Sequence, residues 1–240
     1  MTKRVSIVPG HNGTVGAVSL GRIENDLTVA FSKKLASYLN AFGVNATVET
    51  YNLYDQLEKD PLRSDVRIYD YTIEIHFNIT KGGTGTEIFV SPLKTDISME
   101  QSIMVALSKW FKLRDDTHPI DGVKTSDFHI LKSLPDRNIS LLEIAFMDNE
   151  KDMEIYLSNI DEIAESIALA ITKSLGVTPI LSDTSIPAVE TDDQIAADYY
   201  HWRVIAESFK SRNNAYDYVL YLRNLGIKSF VAYTNTPTIL

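Results

Sequence analysis

Cysteine is absent from the 240-residue chain, which excludes disulfides, thiolate nucleophiles and zinc held by sulfur. A metal site here has to be built from carboxylates and from the five histidines. Long hydrophobic runs are also missing. None approaches the roughly 20 residues that cross a bilayer, so no membrane role is expected. Positive charge is scarce, with 23 Lys and Arg against 32 Asp and Glu and a net charge of −9. That balance argues against a nucleic-acid partner, because phosphate contacts need clustered cations. The amino terminus lacks the apolar stretch of about 7–15 residues and the small-residue cleavage site of a secretory signal. The expectation is a chain made in the cytoplasm and not exported by that route.

What is present is ordinary for a globular protein, at 44% hydrophobic and 23% charged residues. Residues 4–8 predict a short buried strand stopped by Pro9-Gly10, followed by a Gly-rich loop over 13–22. Leu27, Ala30, Phe31, Leu35, Tyr38 and Leu39 recur at helical spacing, and Gly43 closes that helix. Strands are predicted at 44–50, 71–77, 86–91, 128–131 and 139–146. Residues 51–66 read as a loop or short helix, 99–111 as a helix, and 151–175 as one long amphipathic helix. Strands alternating with helices predict an α/β fold, a mainly parallel twisted sheet flanked by helices.

Composition shifts at Thr178. Residues 178–197 carry Pro179, Pro187 and several acidic and hydroxyl residues without period, and read as a linker. Beyond it, a strand over 202–208, a helix over 213–225 and a strand over 227–232 predict a small C-terminal βαβ module. The expected domains are 1–177, a linker 178–197, and 198–240. The last is too small to bury a good core alone.

Four residues stand out chemically. His11 follows Pro9-Gly10 at a strand end, where ligand sites form in open α/β sheets. A lone histidine in a Gly-rich loop is more often a surface residue. Glu24 opens a helix, where an acidic residue also simply complements the helix dipole. His76 lies in Tyr71–Asn78, whose alternation puts Glu74, His76 and Asn78 on one face. A central parallel strand is normally apolar throughout, so this segment is either a sheet edge or a site wall. Glu143 is one carboxylate in an apolar strand, and needs a partner, a nearby cation or a proton. Two histidines and a carboxylate with an open position are a known catalytic zinc arrangement, and a second carboxylate can serve as general base and acid. His118 and His201 read as surface residues, and His129 fits either a site or the core.

These residues fall in an ordered series: Val8–Gly13, Glu24 opening a helix, Ile75–Asn78, Gly83–Glu87, and Leu141–Asn149. Over residues 3–176 the series resembles the zinc-dependent N-acetylmuramoyl-L-alanine amidases of the amidase-3 type. The resemblance implies that His11, Glu24 and His76 bind Zn2+ and that Glu143 is catalytic. It implies peptidoglycan as substrate, with Asn78 and Glu87 as candidate substrate contacts. The chain departs from the common pattern at Asn12, where Gly is usual, and at Glu74, where a small residue is usual. Residues 202–231 are similar to one βαβ repeat of the SPOR peptidoglycan-binding domains, which have two such halves. A homodimer pairing residues 198–240 is therefore an expectation, as is wall lysis by a phage endolysin or a mother-cell autolysin. The competing readings are a zinc peptidase of the stem peptide and a non-catalytic wall-binding protein.

Overall fold

The computed structural model describes residues 2–59, 68–114, 122–134 and 138–179. The chain divides into two units, Met1–Ser185 and Ile186–Leu240. The expectations placed from residue 180 onward, namely the SPOR-like module, its dimer and His201, lie outside the described residues, as does His118.

Six strands form one sheet in the order β4-β1-β5-β8-β6-β7. The strands are β1 (Arg4–Pro9), β4 (Asn45–Val48), β5 (Tyr71–Asn78), β6 (Glu87–Val90), β7 (Val123–Thr125) and β8 (Ile139–Phe146). All neighbours pair in parallel except β6 and β8, which run antiparallel. The mainly parallel α/β fold is thus observed. A two-residue hairpin, β2 (Val18–Ser19) and β3 (Arg22–Ile23), stands in the Gly-rich loop. Leu20 and Gly21 turn it with φ of 49° and 71°, the positive pair that tight hairpins favour.

Strand alternation sorts the side chains into two cores. Val5, Ile7, Tyr71, Ile73, Ile75, Phe77 and Leu142 face α1 (Glu24–Ala41), α3 (Ser98–Leu107) and α6 (Ile160–Ser174). Phe31, Leu35, Leu39, Ile103, Leu107, Ile163, Ile167 and Ile171 complete this larger core. On the other face Val8, Ile139 and Leu141 meet Leu53 and Leu57 of α2 (Leu53–Lys59) and Ile130 and Leu131 of α4 (His129–Ser133).

Two expectations are corrected. Residues 128–131 are not a strand, because His129–Ser133 forms α4. A four-residue apolar run cannot fix its own period, and here Ile130 and Leu131 are buried in the smaller core. The single helix over 151–175 is two helices, α5 (Glu150–Ser158) and α6, which meet at Asn159 with φ −134°. Asn159 donates its backbone N–H to Tyr156 and its side-chain amide to the Ile155 carbonyl, closing α5, and accepts from Ile163 N–H to start α6.

Candidate metal centre

The site lies at the carboxyl end of β1 and β5, and β5 is central, between β1 and β8. Its polar face is therefore not a sheet edge. In the register across the sheet, His76 lies beside Glu143, and Glu143 lies beside Glu87. Three ionisable side chains thus share one row over three strands. Immediately beyond it, β8 carries an extra residue relative to β5, between His76 and Asn78. Such bulges re-aim side chains beside sites.

His11 enters from the loop after β1 with φ of 58°, left-handed backbone that a residue with a Cβ seldom adopts. The loop is fastened around it: Thr14 N–H and Asn25 Nδ2 donate to the His11 carbonyl, and Thr28 Oγ1 donates to that of Gly10. Gly10 is required for packing, since a Cβ there would lie 2.4 Å from His76 Cε1. The two imidazoles meet edge to face, with centroids 5.0 Å apart.

Glu24, the first residue of α1, is 3% exposed. Its Oε2 lies 3.2 Å from His11 Nε2 and its Oε1 lies 3.1 Å from His76 Nδ1. Ala17 N–H and Phe77 N–H also donate to it. Burial pushes its pKa up, but the hydrogen bonds from His11, His76 and Ala17 outweigh burial and hold it well below the usual carboxylate range. His76 is shifted well upward: burial opposes its charge, and the carboxylates of Glu74 and Glu24 overcome that. One ligand atom from each of His11, Glu24 and His76 fits within a 4.8 Å group.

Glu143 faces the row without Lys or Arg as an ion-pair partner among the described residues, and its buried Oε2 has no hydrogen bond. Burial pushes its pKa from 4.5 to about 7; His76 opposes the rise, and Glu24, Glu87 and Glu74 add to it. Glu87 is the opposite case. It is 2% exposed and accepts from Asn78 Nδ2 at 2.6 Å, Arg114 Nη1 at 3.1 Å and Lys124 Nζ at 2.6 Å. Asn78 is half-buried on the same face. His129 packs against Tyr54 with centroids 4.5 Å apart and the rings tilted by 47°, and is not in the ligand group. Arg114 and Lys124 carried no sequence signal as site residues. The antiparallel turn of β6 is what brings Glu87, with both cations, beside Glu143.

The donor set fits a borderline divalent ion such as zinc. Zinc takes imidazole nitrogen and carboxylate oxygen, and one such atom from each of the three residues lies within 4.8 Å of the others, so a single ion can reach all three. The orphaned oxygen of Glu143 is what a proton-transfer group beside such an ion leaves in place. An α/β sheet with this rim has the layout of a hydrolase centre.

The family model described as N-acetylmuramoyl-L-alanine amidase matches residues 5–173. The chain belongs to that family, and is an enzyme of this peptidoglycan-directed amidase type. Among solved structures it is similar to an N-acetylmuramoyl-L-alanine amidase from Clostridium difficile 630, with 25% identity and a TM-score of 0.60 over 73% of this chain and 97% of that one. A Neisseria meningitidis protein described as the same kind of amidase gives 24% identity and a TM-score of 0.61 over 74% and 98%. The catalytic domain of the CD27L endolysin, targeting Clostridia difficile, gives 20% and 0.58 over 71% and 97%. No curated protein sequence matches the chain.

Proposed function

We propose that the chain is a zinc-dependent lytic amidase that cleaves the bond between N-acetylmuramic acid and the L-alanine of the stem peptide. His11, Glu24 and His76 would hold the metal. The observation that carries this reading is the convergence of their ligand atoms within 4.8 Å, one strand from a carboxylate, Glu143, that has no Lys or Arg partner among the described residues. When bound, zinc supplies a Lewis acid that polarises the amide carbonyl and makes water more acidic.

The chain's own residues do the rest. Glu143, with a pKa raised to about 7, takes a proton from water near neutrality and returns it to the departing alanine amine. Glu24 accepts the Ala17 and Phe77 backbone N–H groups, which favour its charged form and hold it toward the site. Asn78 meets the substrate from the half-buried rim, and Glu87 behind it fixes the direction of its amide. Residues 198–240 serve as a wall-binding half module that pairs two chains. Fold likeness to an endolysin catalytic domain supports a lytic role.

The test is metal content together with the mass of products from purified cell walls. One zinc per chain and intact stem peptides freed from glycan are expected. Fragments cut within the stem peptide would turn the reading into a zinc peptidase. Walls left uncut by metal-loaded protein would leave only a binding module.

A further inference from the structure

Glu74 has no role in the account above, yet it is 6% exposed on the central strand of the sheet. A buried carboxylate is costly there unless something compensates it. Among the described residues its ion-pair partner is His76, whose Nε2 lies 3.6 Å from Glu74 Oε2. The other ring nitrogen, Nδ1, lies 3.1 Å from Glu24 Oε1. The two nitrogens of one imidazole thus face two different carboxylates. Gly10 backs the same ring so closely that no Cβ fits between them, which limits where the ring can go.

An imidazole that binds a metal through one nitrogen carries its proton on the other, and an acceptor there fixes the tautomer and the ring plane. We propose that Glu74 is the positioning residue for His76: its carboxylate accepts the Nε2 proton and commits the Nδ1 lone pair to the space shared with Glu24 and His11. The separation is ion-pair distance, and a shift of roughly 0.6 Å brings it to hydrogen-bond length. This inference rests on the zinc reading above. It concerns a position where the chain departs from the small residue usual in the amidases it resembles.

The experiment uses the full chain, stripped of metal and titrated with zinc against a chromophoric chelator, and in parallel loaded with cobalt(II) for its visible spectrum. Glu74→Ala is expected to weaken zinc binding about 10- to 100-fold and to shift the cobalt bands. Glu74→Gln keeps an acceptor oxygen at the same reach and is expected to recover most of that loss. A purely structural Glu74 would lower the melting temperature of the metal-free protein and leave affinity and cobalt bands unchanged, which overturns the proposal. A third measurement needs no variant. Long-range proton–nitrogen NMR of the zinc-loaded wild type is expected to find the His76 proton on Nε2, and a proton on Nδ1 overturns the proposal. Wild type that takes up neither zinc nor cobalt defeats the zinc reading itself. Wild type that binds zinc while Glu74→Ala binds it equally defeats only the role of Glu74.

Discussion

Two carboxylates along strand β8, Glu100 packed beside it and Glu143 upon it, keep opposite company. Near its start, Glu100 of α3 is fully buried and is gripped by Lys94 Nζ at 2.7 Å and by Ser140 Oγ. Lys94 also donates to Asn138 Oδ1, and Tyr71 donates its hydroxyl proton to Ser140. Further along, Glu143 stands among Glu24, Glu74 and Glu87, with His76 across the strand. Each leaves one oxygen without a hydrogen bond. What separates them is the cation. A carboxylate locked by an ammonium is a fastener with a fixed charge, whereas one crowded by other carboxylates has a charge that chemistry can change.

The widest gap between the two should appear in turnover. Glu143→Gln is expected to cost about 10²–10⁴-fold in kcat on cell walls with zinc content unchanged. A variant that keeps full turnover would erase the distinction. Lys94→Met attacks the other end: it leaves Glu100 buried without its cation and should cost about 3–5 kcal/mol in urea unfolding. Turnover per folded molecule should stay at the wild-type level; a loss of turnover there would mean that the fastener also serves the site.

The smallest effect is in pH. The Glu143 pKa is about 7 in the folded protein against an ordinary 4.5, so the native state binds more protons than the unfolded chain between those values. Its contribution to stability is complete below about 4.5 and is lost as pH rises through about 7. Metal-free wild type should therefore lose on the order of 2 kcal/mol between pH 5 and pH 8 relative to Glu143→Gln. Parallel thermal melts of the two proteins would show no site contribution.

The parts of the fold that were legible are those with a long, consistent period. α1 was readable from Leu27, Phe31, Leu35 and Leu39, β1 and β8 from their apolar runs, and β5 from its alternation. The reversal of β6 was not, because a four-residue strand with mixed burial carries no mark of its direction. With it went the neighbourhood of Glu87, whose cations come from the segment before α3's successor strand β7 and from β7 itself. The hairpin at Val18–Ile23 is too short for any pattern, and the break at Asn159 sits inside an unbroken amphipathic stripe. At the site, the residue types of His11, Glu24, His76 and Glu143 were visible as oddities in their segments. Their convergence was expected only through the family resemblance, because the register between distant strands is set by the whole sheet and no local pattern reports it. Glu74 was legible as one member of a polar face and as a departure from the resembled family; its 3.6 Å distance to His76 Nε2 was not.

His11 holds its imidazole in place from a backbone angle of 58°, a conformation that costs a side-chain-bearing residue on the order of 1 kcal/mol. Glycine would relax that loop. Any campaign that screens the metal-free chain for heat tolerance alone sets that relaxation against the imidazole's 3.2 Å contact with the buried Glu24, and can discard the imidazole without registering the loss of a proposed metal ligand. Position 11 has to be frozen before such a library is built.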